Sequence, residues 1–371
     1  MERLAAPTDF EGKHMGIRKL AAVGIAAALV ATTATAASAA PDQRVDPAVL
    51  QAGLDRMARD GAQGVQLRVV DGDRTLLLRS GTARAGSPRP VPLNGRFRVG
   101  SVTKTFVATV VLQLVAEGRV SLDAPVSNHL PGLVDDRITV RMLLQHTSGL
   151  YDYTRALPLD GETFLKERFT RHDPRDLVAM STSRPLDFTP GERHEYSNTN
   201  YIVAGLLIKQ VTGKSWERSV NDRILRPLGL HATATGGLVP QGPHARGYLQ
   251  INGKLVDVTA LNSSMAWAAG SMISTTADLD RFYAALLDGD LLPPAQLAEM
   301  KKTVDGYGLG IYEFPMPCGI TAWGHGGGIP GYITLSINAD DTRLEMSMTT
   351  GALDEDGVDG LDDTLIAAFC P

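Results

Sequence analysis

The sequence predicts an α+β fold in which the first and last strands form one antiparallel sheet beside a mainly helical insert. Three observations predict it. Residues 65–78 are two short apolar runs around an Asp-Gly turn, the pattern of a β-hairpin. Residues 119–265 alternate helical patterns with connections rich in proline and glycine. After Gly306 the patterns of strands return.

The predicted elements follow in chain order. A brief strand at residues 96–99 is broken by Gly100, and a helix with a broad apolar face begins at Ser101 and ends at Gly118. Residues 271–287 form a later helical run with a Thr-Thr-Ala-Asp capping sequence. Short helices are predicted inside the insert at residues 140–144, 174–180, 200–211 and 216–224. The last predicted elements are strands at residues 307–312, 320–323, 331–337 and 343–349 and a helix at residues 364–369.

Composition and charge restrict the class of protein. The 371 residues are 43% apolar and 21% charged, which is typical of a soluble globular protein with a sizeable core. The net charge of −5 and the lack of a dense basic stripe argue against a nucleic-acid partner. The eight histidines are scattered, and no phosphate-binding glycine loop occurs, so we expect no metal and no cofactor. We also expect a monomer.

The N-terminus has the layout of a secretory signal peptide. After an extension at residues 1–14 come a short basic start, an apolar run at residues 20–30 and a small Ala-Ser-Ala sequence that ends at Ala39. A membrane anchor is the alternative, but the run is short and rich in alanine and threonine. The pattern favours cleavage near Ala39 and no stable anchor. We therefore expect a secreted protein whose mature domain is residues 40–371.

The two cysteines, Cys318 and Cys370, are an even pair in a protein that we expect to be exported. This predicts one disulfide, joining the C-terminal helix to a strand near the last motif described below. Two buried thiols are the alternative, and export favours the disulfide.

The first motif that carries chemistry is Ser101-Val-Thr-Lys104. A serine hydroxyl is a poor nucleophile until a base takes its proton, and an amine three residues later on one helical turn can do so. Burial would lower the pKa of that lysine and suit it to this task. The helix start also offers the Ser101 N–H to a developing oxyanion. Chance occurrence is the alternative, because the motif is short.

The second motif is Tyr196-Ser197-Asn198. The Tyr196 phenol can relay a proton between Ser101, the leaving group and a water molecule. Asn198 can hold a substrate amide and also Lys104. The alternative is an asparagine that caps the next helix and needs no chemistry.

The third motif is His325-Gly326-Gly327-Gly328. So many glycines weaken a strand, but they suit a place where a ligand must approach the backbone closely. The N–H of Gly328 is a candidate second oxyanion donor, and we expect His325 to face the substrate. A glycine-rich turn between two strands is the alternative.

In this order the motifs resemble the serine β-lactamase and penicillin-binding DD-peptidase superfamily. The resemblance is closest to the class C-like branch that includes secreted actinomycete D-alanyl-D-alanine carboxypeptidases. It runs from about Val45 to Cys370 and includes residues 144–150, 190–192 and 268–279 as well as the late cysteine pair. It implies a β-lactamase/transpeptidase-like fold, with an antiparallel sheet flanked by helices and a helical subdomain.

The resemblance also implies roles for single residues. Ser101 would be the acylated nucleophile, Lys104 the residue that activates it, Tyr196 the acid/base relay and Asn198 an amide binder. Trp267 matches an aromatic residue that lines the substrate groove; core packing is the alternative. The remaining substrate-binding residues would be His325, Gly326, Gly327 and Gly328. His146 is expected to be structural.

The sequence departs from this branch in two places. His325 and Gly326 stand where many relatives have the first two residues of Lys-Thr-Gly, so a hydroxyl that often binds a substrate carboxylate is missing. The secreted carboxypeptidases also carry a cation on the preceding strand. Residues 307–317 contain no lysine or arginine, and Glu313 is acidic. Carboxylate recognition would have to come from His325 or from elsewhere.

Three hypotheses follow. The leading one is a secreted D-alanyl-D-alanine carboxypeptidase that forms an acyl-enzyme on Ser101 and is acylated by β-lactams as suicide substrates. The second keeps the fold and nucleophile but acts as an esterase, a D-stereospecific amidase or endopeptidase, or a β-lactamase. The third is a penicillin-recognising module without turnover, which the three intact motifs disfavour.

Overall fold

A computed structural model describes residues 44–159, 161–350 and 360–371. The predicted signal peptide, residues 1–39, lies outside these residues. Within them, the strands are β1 Gly64–Asp71, β2 Arg74–Gly81, β3 Phe97–Arg98, β4 Tyr248–Ile251, β5 Lys254–Asp257, β6 Ile273–Ser274, β7 Tyr312–Pro315, β8 Thr321–Ile329, β9 Tyr332–Asn338 and β10 Thr342–Thr349. The helices are α1 Pro47–Arg59, α2 Thr103–Ala116, α3 Val140–Leu144, α4 Gly161–Glu167, α5 Pro174–Thr182, α6 Thr199–Thr212, α7 Trp216–Val220, α8 Trp267–Gly270, α9 Thr276–Leu287, α10 Pro294–Met300 and α11 Leu361–Phe369.

The central sheet joins the two ends of the chain. Its strand order is β2-β1-β10-β9-β8-β7, and each neighbouring pair is antiparallel. The N-terminal strands thus pair with the C-terminal strands through β1 and β10, as predicted. The predicted hairpin is confirmed, with a turn between Asp71 and Arg74.

The two faces of the sheet carry different side chains because residues alternate along each strand. On β10, Leu344, Met346 and Met348 belong to an apolar cluster with α1 and α11. On the opposite face Arg343 bonds to Asp280 of α9, so that face packs under α9. The sheet therefore lies between a two-helix layer and the helical part of the molecule.

Helix α2 is the central element of the helical part. It is apolar around its circumference, and 11 of its 14 residues are buried, as expected for a helix surrounded by other elements. Helices α6, α8 and α10 pack directly against it. Because the first motif precedes α2 and the second precedes α6, this packing brings the two motifs together.

Several predicted elements differ in the structure. The helical run predicted at residues 271–287 begins only at Thr276, because residues 273–274 form strand β6 paired with β3. The strand predicted at residues 307–312 is wrong, because residues 307–311 form a tight turn in which Gly310 has φ +79° and strand β7 begins at Tyr312. A Cβ at Gly310 would lie 2.5 Å from Cβ of Ala108 on α2, so this turn presses closely on the central helix. The strand predicted at residues 320–323 is longer, and β8 carries the whole third motif.

The disulfide prediction is confirmed in the structure. Cys318 and Cys370 are bonded, with their Cα atoms 5.6 Å apart. The bond joins the β7–β8 connection to the residue after α11. Among the helices of the described residues, none is long and apolar enough to cross a bilayer.

Candidate active site

Ser101 lies in a single 3-10 turn, Gly100–Val102, between strand β3 and helix α2. Gly100 has φ +52°, a conformation that glycine adopts without strain. The predicted α-helix therefore starts two residues after Ser101, at Thr103. The sharp turn at the start of the most buried helix holds the hydroxyl in one place, and Ser101 is only 4% exposed.

The turn also approaches strand β8 closely. A Cβ built on Gly100 would lie 2.9 Å from the Gly328 nitrogen, and one built on Gly327 would lie 2.9 Å from the Ser101 nitrogen. Only glycine permits this distance between the two backbones. The Ser101 turn and strand β8 are thus in close contact, and the role of the Ser101 and Gly328 amides as oxyanion donors stays a prediction.

Lys104 is fully buried, and its amine makes three hydrogen bonds within the site. Its Nζ donates to Ser101 Oγ at 2.8 Å, to Asn198 Oδ1 at 2.7 Å and to the Ala269 carbonyl at 2.8 Å. Of these three acceptors, only the Ser101 hydroxyl also has a proton to give. Among these three groups, Lys104 can therefore exchange a proton only with the Ser101 hydroxyl, between Nζ and Oγ.

Asn198 connects this amine to a carboxylate. Its Nδ2 donates to Asp152 Oδ2 at 3.0 Å, which directs its Oδ1 towards Lys104. Asp152 is held in turn by the backbone and hydroxyl of Thr154. Asn198 occupies the residue before α6, but its side chain makes no capping bond. The simple capping interpretation therefore does not describe this side chain.

Tyr196 is buried beside the amine. Lys104 Nζ lies 4.8 Å from the centre of the Tyr196 ring, and the ring stacks on His146 with centroids 4.1 Å apart. The first two motifs thus meet in space although 92 residues separate Lys104 from Tyr196. The relay role of Tyr196 stays a prediction.

His325 is also buried, and its ring binds within the protein. Nδ1 lies within hydrogen-bond distance of the Gly326 carbonyl, so Nδ1 carries the proton and donates it. Nε2, 3.0 Å from the Tyr307 hydroxyl, then accepts from it. Burial, together with the charge of Lys104, lowers the pKa of His325 to about 3. The ring is neutral and both nitrogens are engaged, so contact with a substrate carboxylate stays a prediction without geometric support.

Trp267 points towards the core. A Cβ on Gly205 of α6 would lie 2.7 Å from Cζ3 of Trp267, and the ring meets the buried Trp216 edge-on at 6.0 Å. These are the contacts of a packing side chain. A groove-lining role for Trp267 stays a prediction.

The structure adds residues that the motifs did not identify. Asp152 completes the chain from Lys104 through Asn198, and Ala269 supplies a carbonyl to the amine. Arg98, three residues before Ser101, donates to backbone carbonyls of Gly237, Leu238, Thr259 and Leu261. Burial lowers the pKa of Arg98 to about 10. The position of Arg98 in the brief strand directly before Ser101 was a signal that could have been followed.

The comparisons with known proteins agree with this geometry. The family model described as Beta-lactamase matches residues 51–369. Penicillin-binding protein 4 of Amycolatopsis lactamdurans is 30% identical over 289 residues, which cover 71% of this chain and 71% of that protein.

Two solved structures extend the comparison. A D-stereospecific amidohydrolase from Streptomyces sp. has a TM-score of 0.81 at 39% identity, covering 88% of this chain and 99% of that one. D-amino acid amidase from Ochrobactrum anthropi SV3, complexed with L-phenylalanine amide, has a TM-score of 0.77 at 30% identity, covering 86% and 97%. Ser101, Lys104 and Tyr196 meet beside this sheet, and the family model covers almost all of the described residues. The protein therefore belongs to the beta-lactamase family of serine hydrolases.

Proposed function

We propose that the protein is a secreted D-stereospecific amidohydrolase that forms an acyl-enzyme on Ser101. The observation that carries this proposal is the hydrogen bond between Lys104 Nζ and Ser101 Oγ, at 2.8 Å, inside a site without solvent exposure at the amine. It places the amine that would take the proton within hydrogen-bond distance of the serine hydroxyl. The similarity to a D-stereospecific amidohydrolase and a D-amino acid amidase supports the substrate class.

The proposed acylation uses the unprotonated form of Lys104, in which Nζ keeps its bonds to Asn198 and Ala269 and has a lone pair for the Ser101 proton. The amine takes this proton while Oγ attacks the carbonyl carbon of the substrate. The Ser101 and Gly328 amides stabilise the oxyanion. The tetrahedral intermediate expels the amine, which receives a proton through Lys104 and Tyr196, and an ester remains on Ser101. A water molecule, deprotonated by the same groups, then attacks the ester and releases the acid.

The lack of a lysine or arginine at residues 307–317 favours an amide substrate over a peptide with a free terminal carboxylate. Relatives that bind a terminal carboxylate place a cation on the strand before the third motif, and residues 307–317 contain none. His325 is neutral and its ring nitrogens are engaged. A leaving group without a negative charge therefore fits this site better.

A D-alanyl-D-alanine carboxypeptidase is the second candidate. The 30% identity to penicillin-binding protein 4 of A. lactamdurans favours it. It requires a peptide ending in D-Ala-D-Ala, and acylation by β-lactams would accompany it. The cation for the terminal carboxylate would then come from a residue outside the strand before the third motif.

One matched pair of substrates separates the two candidates. Acetyl-D-Ala-D-Ala and its C-terminal amide share the acyl group and differ in the charge of the leaving group. We expect kcat/KM for the amide to equal or exceed that for the free acid. A preference of about tenfold or more for the free acid would identify a carboxypeptidase instead.

Stereochemistry and the nucleophile need their own controls. D-phenylalanine amide should be hydrolysed and L-phenylalanine amide should be hydrolysed much more slowly, with release of ammonia as the measurement. The Ser101→Ala variant should lose activity on every substrate while keeping its thermal unfolding midpoint. Activity that survives in this variant would exclude Ser101 as the nucleophile.

A further inference from the structure

His146 lies outside the three motifs, yet it contacts residues 195–197, the turn that contains Tyr196. It follows helix α3, is completely buried, and has φ +57°. Histidine is one of the few residues with a side chain that adopts this left-handed conformation with some frequency. The conformation turns both the carbonyl and the ring of His146 towards residues 195–200.

Each part of His146 holds a different residue of that turn. The His146 carbonyl accepts from the Glu195 amide at 2.9 Å. The ring Nδ1 accepts from the Ser197 amide at 3.2 Å and lies 3.0 Å from Nδ2 of Asn200. The ring face stacks on Tyr196 at 4.1 Å, with 28° between the ring planes. One residue therefore holds three consecutive residues, 195, 196 and 197.

The hydrogen bonds assign the protonation of the ring. Nδ1 faces two N–H donors, so it carries no proton and the proton is on Nε2. Burial, with the charge of Lys104 as the next cause, lowers the pKa of His146 well below 6.5. Nδ1 therefore stays an unprotonated acceptor near neutral pH. Asn200 is fixed as well, because its Oδ1 accepts from Ser148 Oγ at 2.5 Å.

We propose that His146 is a positioning residue that sets the plane of the Tyr196 phenol relative to Ser101 and Lys104. In this role His146 acts through Tyr196 and not by direct contact with the reacting atoms. Small displacements of a catalytic group matter, since a misplacement of about 1 Å can lower a rate by about 100-fold. The inference rests on the proposed function only in that chemistry takes place at Ser101.

Two substitutions separate the two kinds of attachment. His146→Asn keeps an acceptor near Nδ1 and tolerates the left-handed backbone, but it loses the stacked ring. His146→Phe keeps a ring against Tyr196 and loses the acceptor. We expect kcat to fall by roughly tenfold in His146→Asn and by up to about 100-fold in His146→Phe, with KM changed less than about threefold. His231→Asn, at an exposed histidine, is the matched control and should keep kcat.

The deciding experiment combines His146→Asn with Tyr196→Phe in a double-mutant cycle. The assay substrate is p-nitrophenyl acetate, an activated ester that reports Ser101 chemistry whatever the preferred amide is. If His146 acts through Tyr196, the double variant should have nearly the same kcat as Tyr196→Phe alone. Losses that multiply would show a general structural role and overturn the proposal, as would unchanged kcat in both His146 variants.

The folded state and the proposed function are checked separately. Near-ultraviolet circular dichroism and thermal unfolding define the temperature range in which every variant is folded, and rates are compared there. A wild type that hydrolyses the ester through Ser101 but not D-phenylalanine amide would overturn the proposed substrate class and still test His146. A wild type without Ser101-dependent ester hydrolysis would overturn both proposals.

Discussion

Lys104 on α2 and His325 on β8 are both basic side chains that the fold removes from solvent. Their partners differ. Lys104 meets three acceptors, among them the nucleophile, whereas His325 meets one carbonyl and one hydroxyl and is neutral. Burial alone therefore does not give a basic residue its role. The donors and acceptors around each nitrogen decide whether it can exchange a proton with the substrate.

The largest expected effect is at Lys104. Lys104→Met keeps the length of the side chain and removes the amine, so kcat/KM should fall by about 10³-fold, because general base catalysis contributes roughly 10²- to 10⁴-fold. Stopped-flow acylation by p-nitrophenyl acetate measures it. Lys301→Met is the control, since Lys301 lies over Trp323 with its Nζ 5.3 Å from the ring. Full activity in Lys104→Met would exclude the Lys104 amine as the general base.

A pair of glycines on β8 gives the next largest effect. A Cβ on Gly327 would lie 2.0 Å from the Val99 carbonyl, whereas a Cβ on Gly328 meets nothing within 4 Å. Gly327→Ala should lose about 1–3 kcal/mol of unfolding free energy by overpacking and most of its activity. Gly328→Ala should keep the wild-type unfolding midpoint. Urea unfolding and ester hydrolysis of both variants test this, and equal behaviour would contradict the close approach of β8 to Ser101.

The next prediction tests whether Asp152 supports Lys104 by orienting Asn198. Asp152→Asn removes the carboxylate that orients the Asn198 amide, and hydrogen bonds to charged groups contribute about 1.5–3 kcal/mol. We expect kcat to fall by about 10- to 100-fold in consequence. Asp123→Asn, at an exposed carboxylate that bonds to Arg141, should leave kcat unchanged. Similar rates in both variants would exclude this role.

The last prediction concerns stability rather than catalytic rate, and it tests whether His325 is neutral in the folded protein. Its folded pKa of about 3 lies below the value near 6.5 of an unfolded histidine. Between these values the unfolded chain binds the extra proton, so stability falls as pH falls through this window, by up to about 1.4 kcal/mol per pH unit. Thermal unfolding from pH 7 to pH 4 should show this slope, and His325→Asn should reduce it. An unchanged slope would indicate that His325 is protonated in the folded protein.

The contacts of Lys104 were easier to predict from the sequence than those of His325. The Ser101–Lys104 pair is local, because both residues lie on one helical turn, so their spacing was enough to predict their contact. The contact of Asn198 with Lys104 was expected with the second motif, but 94 residues separate the two and no local spacing could show it. The environment of His325 depends on Tyr307, which lies in a stretch whose strand pattern gave a wrong element.

Alone, the sequence determined the α+β class and the hairpin through periodicity. It determined the cysteine pairing because only two cysteines occur, and it shows the order of the three motifs directly. Tertiary structure decided what each side chain does. It set the Asn198 orientation through Asp152, 46 residues away, and gave Lys104 the Ala269 carbonyl, 165 residues away. It also made His325 neutral. Hydrogen-bond partners and desolvation arise from packing between distant elements, and no local pattern encodes them.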